Sequence, residues 1–334
     1  MLLCRCTSAL LFHGDAEETK EKVKTDPKVK ELQLKILLES PSSVSFLAFT
    51  TLNMTNAEVL YNQIAAAYKQ SKWLPFRQSE IQTHTALLTQ HQVKEKVVLD
   101  LACGDGFYSR ILKYQLGARL VIAVDISERM VHLAREQPCE GIIYIQADVC
   151  HLPEHVETIQ EILQTHGIAC QDGKPMFDVV TAAYLLNYAQ SRQELQRYIE
   201  AIDLYLSPGG VFVTINDNPE DDVKLYASLN TRPLGIVKST RLRGTERCEG
   251  DPVIFTLYND AEDDTTAFEI TNYWIPKKTI EDVFVKDVGF LSVEWCPLNV
   301  DQVLSAEQKM TPQVRQAWLN FKHNCPLVCL VARK

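Results

Sequence analysis

Asp100, Gly104, Asp105, Gly106 and Asp125 carry the most legible chemistry of the chain. The stretch VVLDLACGDGFYSR, residues 97–110, runs an apolar segment into an aspartate and then into a loop with two glycines one residue apart. Such a loop, between a strand and a helix, lets a ligand approach the backbone and meet the free N–H groups of the helix start. Phosphate is the usual guest. Here the loop is lined with acid: Asp100 ends the strand and Asp105 sits between the glycines. Two carboxylates repel a diphosphate at short range, where screening is poor. Ser109 supplies the third small residue of a dinucleotide loop. Asp125 stands where an acid for ribose hydroxyls belongs, about 20 residues on. A ligand with ribose and adenine but a cationic group in place of phosphates suits these residues best. S-adenosylmethionine is such a ligand, because its sulfonium and ammonium outweigh its carboxylate.

The flanking pattern positions this loop. NAEVLYNQIAAAYKQ (56–70) has apolar residues at helical spacing, and a second helix is predicted over 78–91. From residue 97 strands and helices alternate. RLVIAVD (119–125), IIYIQAD (142–148), MFDVVTAAY (176–184) and VFVTIN (211–216) read as further strands, with SPGG (207–210) as a turn before the last. Helices are predicted over 127–136, 155–167 and 191–206, the first capped by Ser127 and the third by a Ser191/Glu194 capping box. The alternation implies a parallel sheet with helices on both faces. Residues 235–275 break the rhythm as short antiparallel β segments. A helix (278–289), a strand (290–298), a helix near 305–323 and a strand (326–334) close the chain.

DLACGDGFYSR, VIAVDIS, YIQADVCHLP, FDVVTAAYLLNYA and LSPGGVFV together resemble the ordered motifs of class I S-adenosylmethionine (SAM)-dependent methyltransferases over residues 97–213. The resemblance implies a doubly wound, seven-stranded, mostly parallel α/β sheet of Rossmann-like order 3-2-1-4-5-7-6, here with an inserted antiparallel β segment. More narrowly, YNQIAAAYKQSKWLPFRQSE, EGDPVIFTLYN, FEITNYWIP and WLNFKHNCPLVCLVARK are similar to the toxoflavin synthase type of small-molecule methyltransferase. That likeness implies SAM as cofactor and N-methylation of a small heterocycle as the reference activity, so N-methylation is slightly favoured over O- or C-methylation.

The expected cofactor residues are Tyr68, Arg77, Asp100, Gly104, Gly106, Asp125, Ile126, Met130, Asp148, Val149 and Ala182. Asp100 is placed near the methionine ammonium and Asp125 on both ribose hydroxyls. Gly104 gives close approach, while Gly106 permits the turn. Ile126 and Met130 are placed on the adenine faces, with core packing the alternative for Met130. The resemblance puts Asp148 on the adenine amino group, the Val149 N–H on a ring nitrogen, and Tyr68 in a helical lid over 54–92. Arg77 is placed on the methionine carboxylate as a bidentate fork, with a plain surface arginine the alternative. Ala182 leaves room for the methyl group, and Tyr184, Asn187 and Tyr188 are expected to line the acceptor site. A lone His151 reads as structural. No catalytic base is identifiable, since a sulfonium is already activated and asks mainly for alignment and exclusion of water.

Composition narrows the partners. The chain has 334 residues, 46% hydrophobic and 23% charged, with a formal net charge of −9. No Lys/Arg-rich run stands out, and the Asn/Asp-Pro-Pro-Tyr signature of DNA amino-methyltransferases is replaced after the fourth strand by AAYLLN, so a nucleic-acid partner is not expected. No apolar stretch approaches the roughly 20 residues that span a bilayer. Ten scattered cysteines without CxxC pairs argue against a disulfide framework or metal site and suit a reducing, cytoplasmic setting. Residues 1–53 are expected to be a poorly ordered extension, residues 54–334 the folding unit, and 217–276 a segment covering the substrate. The expected partner is a small-molecule acceptor, and the oligomeric state is open. Two rival classes stand beside this reading. One is a SAM-binding or assembly protein without turnover; the other, disfavoured by Asp100 and Asp105, is a nicotinamide-dependent oxidoreductase.

Overall fold

The computed structural model describes residues 56–170, 174–242, 244–306 and 310–334, all within the unit Thr55–Lys334. The predicted extension 1–53 lies outside the described residues. Two helices lead in, α1 (Asn56–Gln70) and α2 (Arg77–Gln90), joined by a tight turn at Ser71–Trp73. A seven-stranded sheet follows: β1 (Val97–Leu101), β2 (Leu120–Asp125), β3 (Ile142–Gln146), β4 (Phe177–Ala183) and β5 (Leu206–Asp217), with β9 (Ser292–Pro297) and β10 (Leu327–Arg333). Its order is β3-β2-β1-β4-β5-β10-β9, and only β10 runs antiparallel to its neighbours. With the last two strands counted sixth and seventh, this is the expected order. β1 and β2 are almost wholly buried. Apolar runs without alternation are what a strand covered on both faces requires.

Between the strands lie α3 (Phe107–Arg110, continued as a wider turn to Gln115), α4 (Glu128–Arg135), α5 (Val156–Thr165) and α6 (Arg192–Tyr205). Ser127 caps α4 by accepting the Met130 N–H at 3.1 Å. At α6 Ser191 accepts from the Glu194 N–H, and the Glu194 carboxylate reaches the Gln190 N–H. The chain order reverses between β1 and β4. The crevice at their C-terminal ends is therefore the topological switch point, where ligands collect in open α/β sheets.

The insertion is a separate three-stranded antiparallel sheet: β6 (Ile236–Thr240), β7 (Asp251–Tyr258) and β8 (Ala267–Trp274). Lys238 on β6 and Arg247 both pair with the buried Asp221, just beyond β5, at 2.5 and 2.8 Å. The Trp274 indole N–H donates to the Pro219 carbonyl at 3.0 Å. These contacts hold the insertion at the switch-point end of β5. Helix α7 (Lys277–Asp282) continues as a wider turn to Val288.

Two local expectations change. The SPGG segment does not precede β5 but lies within it, and the pairing with β4 shifts register between Phe177 and Val179. Gly209, at φ 77°, lets the strand absorb that irregularity. The single helix near 305–323 is two, α8 (Val300–Ala306) and α9 (Pro312–His323). Thr311 caps α9 and Pro312 occupies its first turn, a pair of signals that starts a new helix.

Candidate active site

The loop after β1 is built around buried carboxylates. The two oxygens of Asp125, at the end of β2, accept the Gly104 N–H at 2.7 Å and the Ser127 N–H at 2.9 Å. Each oxygen keeps a further lone pair. Asp100 accepts the Ser109 hydroxyl at 2.5 Å, so Ser109 serves the acid. Burial pushes the Asp100 carboxyl up to about 7, against the Ser109 hydrogen bond, with the Asp125 charge adding and Lys72 opposing. Burial likewise raises Asp125 to about 6, against the Ser127 and Gly104 N–H groups and the Lys72 charge. Asp105 is 2% exposed, and its Oδ1 has no hydrogen-bond partner.

The two glycines do different work. A Cβ at Gly104 (φ 57°) would meet only Tyr68 Cε1, at 3.9 Å, so the loop is open there. A Cβ at Gly106 (φ 76°) would fall 2.2 Å from the Tyr144 hydroxyl. Gly106 thus makes room for Tyr144, and Gly104 is the position left open to a ligand.

Helix α1 lies against this loop. Asn62 Oδ1 accepts the Ser127 hydroxyl at 2.6 Å. Tyr68 is buried, and the Lys72 ammonium sits 4.1 Å from its ring centroid. Lys72 is 7% exposed, and its charge acts on both Asp100 and Asp125. It stands within QSKWLPFR, and the turn after α1 folds it inward.

A second space opens beside the first. A cavity is lined by Tyr61 and Tyr68 of α1, Phe76 and Arg77 before and in α2, and Tyr184 and Tyr188 after β4. The insertion supplies Ile236, Phe255, Leu257, Ile270 and Asn272, and β10 supplies Leu327. The register explains the shared wall: Ile236 pairs with Leu257, and Phe255 with Ile270. Tyr68 belongs to both spaces, since it lines the cavity and is the nearest side chain to the open side of Gly104. The Tyr61 and Tyr188 hydroxyls hydrogen-bond to each other.

Behind this wall is a buried polar knot. Arg77 Nη1 donates to both Glu80 oxygens at 2.9 Å and to the Tyr184 hydroxyl at 3.2 Å. Glu80, fully buried, also accepts from the Tyr108 and Tyr184 hydroxyls. Tyr184 takes a left-handed backbone (φ 69°), strained for a bulky residue, and its N–H donates to the Ile215 carbonyl at 2.8 Å. Nearby, burial lowers His84 to about 4, and the neutral ring meets the Thr181 hydroxyl at 3.1 Å.

The remaining predicted residues are placed as follows. Arg77 lines the cavity with its Nη1 committed to Glu80 and its Nε without a hydrogen-bond partner, and the charge of Lys72 acts on the loop acids. Met130 is fully buried in the core with Tyr108 and Leu133. Ile126 is half-buried beside Asp125, and Val149 is buried. Asp148 accepts the Cys150 N–H at 2.9 Å and lies 3.4 Å from the His151 imidazole. Ala182 is fully buried. Asn187 backs β5 by accepting the Asp217 N–H at 3.1 Å. Lys72, Asn62, Glu80, Asp217 and Asn272 were not singled out as site residues by the sequence; the first three and Asn272 lie within the stretches of the narrower resemblance, and Asp217 lies outside them.

Residues 98–210 match a family model described as a methyltransferase domain. The match covers β1 through the start of β5, in a sheet of the order given above. The chain is 25% identical over 159 residues, 48% of its length, to N-demethylindolmycin N-methyltransferase of Streptomyces griseus. The match spans 60% of that relative's length. Among solved structures it is similar to an S-adenosylmethionine-dependent methyltransferase from Mesorhizobium loti (21% identity, TM-score 0.46, 77% of this chain and 98% of that one). Another is one from Clostridium acetobutylicum (16% identity, TM-score 0.44, 82% and 98%). Among the described residues no helix is long and apolar enough to cross a membrane.

Proposed function

We propose that the chain transfers a methyl group from SAM to a small-molecule acceptor, with N-methylation favoured. The observation that carries this reading is the trio of buried carboxylates, Asp100, Asp105 and Asp125, in and beside the loop after β1, with Asp125 accepting the Gly104 N–H. That charge is hostile to a pyrophosphate and suited to ribose hydroxyls and a cationic amino-acid head. SAM supplies an activated methyl group when bound; the chain's residues bind, orient and exclude water.

In this reading Asp125 accepts the ribose hydroxyls, Asp100 receives the ammonium and Lys72 answers the carboxylate. Asp148, Val149 and Ile126 form the adenine end, and Met130 packs in the core. Tyr68 separates cofactor from acceptor, and α1 with α2 forms the lid. The cavity walled by Tyr61, Tyr184, Tyr188 and the insertion takes the acceptor. The name of the Streptomyces griseus relative, an N-methyltransferase of a small molecule, supports N-methylation, as does the motif likeness to the toxoflavin synthase type. The net charge of −9 without a Lys/Arg-rich run supports a small acceptor over nucleic acid, and the scattered cysteines support a cytoplasmic setting.

Thermal-shift titration with SAM and with NAD tests the cofactor. Stabilisation by SAM alone is expected, and stabilisation by NAD alone overturns the reading. Labelled methyl transfer from SAM into a metabolite extract then tests turnover. Tight SAM binding with no transfer into any extract would point to a binding protein instead.

A further inference from the structure

The acceptor cavity has one polar feature that the proposed reaction leaves unused. Asn272 on β8 is 3% exposed and lines the cavity, two residues along the strand from Ile270 and so on the same face. Its Nδ2 donates to Asp217 Oδ2 at 3.4 Å. An ionised carboxylate only accepts, so the amide must turn its nitrogen to Asp217. Asn272 Oδ1 is left buried without a hydrogen-bond partner. A buried amide oxygen without a donor is unfavourable and calls for one.

The rest of the wall limits what can bring that donor. Arg77 is the sole formal charge among the lining residues, and Glu80 neutralises it. The other lining side chains are aliphatic, phenyl or phenol. Phenol hydroxyls donate or accept and so do not discriminate.

We infer that the cavity takes a neutral, planar ring compound that donates an N–H or O–H to Asn272 Oδ1, and that Asp217 is the positioning residue holding the amide in that orientation. This rests on reading the cavity as the acceptor site. Asp217 is itself held from several sides. Its N–H donates to Asn187 Oδ1 at 3.1 Å, and Lys238 of β6 lies 3.9 Å from its Oδ1. Burial raises its carboxyl to about 6, with Lys238 opposing, Asp221 adding, and Asn272 and Arg247 opposing. Protonated, Asp217 donates to the amide oxygen and cancels the acceptor that the cavity presents.

The test uses the full chain and matched probes that differ only in the donor: indole against 1-methylindole, and 2-naphthol against 2-methoxynaphthalene. Affinities are read by calorimetry or ligand-observed NMR. The donor member of each pair is expected to bind about tenfold tighter, the scale of one buried hydrogen bond. Asn272→Leu, checked for an unchanged melting temperature, should bind both members alike. In the wild type the discrimination should fade below about pH 6 as Asp217 protonates, and Asp217→Asn should remove that pH dependence. A purely structural Asp217 would leave the discrimination constant with pH. Equal affinities in the wild type, a preference surviving in Asn272→Leu, or no binding of any probe would each overturn the inference. S-adenosylhomocysteine titrated separately keeps the readings apart: its failure to bind sinks the methyltransferase proposal, while the donor discrimination stands or falls on its own.

Discussion

The acidic loop after β1 and the cavity beside it share Tyr68 and solve opposite electrostatic problems. The loop concentrates acid: three buried carboxylates lie within or beside one turn, answered by the buried Lys72. It keeps them by giving them backbone N–H and hydroxyl donors, as at Asp125 and Asp100. The cavity cancels charge. Its lone guanidinium is bound by Glu80, and its polarity is spread over neutral phenols and one amide. A site for a fixed, cationic ligand can hold standing charge, because the ligand always brings the counter-charge. A wall for a neutral acceptor cannot, since each buried charge would go unanswered.

The sharpest way to break this contrast is to uncancel the cavity's charge. Glu80→Ala strands buried Arg77 and should destabilise the fold by about 3–5 kcal/mol in denaturant titration. A double variant with Arg77→Met should recover much of that loss. Next is Asp125→Ala, expected to weaken SAM binding by about 1.5–3 kcal/mol in calorimetry; unchanged affinity removes Asp125 from the site. The two glycines separate binding from folding. Both alanine variants carry a left-handed backbone cost of roughly 1–2 kcal/mol. Gly106→Ala adds a clash with Tyr144 and should be the less stable, whereas Gly104→Ala should lose more SAM affinity.

The smallest expected effect is the pH response of the loop. Asp100 and Asp125 hold their protons in the fold up to about 7 and about 6, whereas in an unfolded chain carboxyls ionise near 4. Between about pH 4 and 7 the folded state therefore binds more protons, and the cofactor-free fold loses stability as pH rises through that window. SAM affinity should move the other way, rising by at most about tenfold per pH unit for each group as the carboxylates ionise. Asp100→Asn should flatten both curves. A SAM affinity constant from pH 5.5 to 8 would remove the charge argument for Asp100.

The two sides also differed in how readable they were. The loop's residues are neighbours in sequence or sit at strand ends set by hydrophobic runs, so the positions of Asp100, Gly104 and Asp125 at the ends of β1 and β2 and in the loop between were legible in the sequence. The split between the glycines was legible too, though its cause, Tyr144, was not. The cavity draws on residues from 61 to 327, which no spacing rule connects. Arg77 illustrates the limit. Its type suggested a carboxylate, and it did find one, but that carboxylate is Glu80, three residues along its own helix.

The apolar runs of β1 to β5, the acids at the strand ends and the glycine pair are local facts of the chain, and they were enough to specify the doubly wound sheet and an acidic loop after β1. Strand burial and turn chemistry act over a few residues, so they can be read in order. Which lysine faces the acids, which amide is left without a donor and which phenols share a wall were decided only when α1, α2 and the insertion packed over the ends of β4 and β5. Those contacts depend on distances between remote segments, which one-dimensional spacing does not encode.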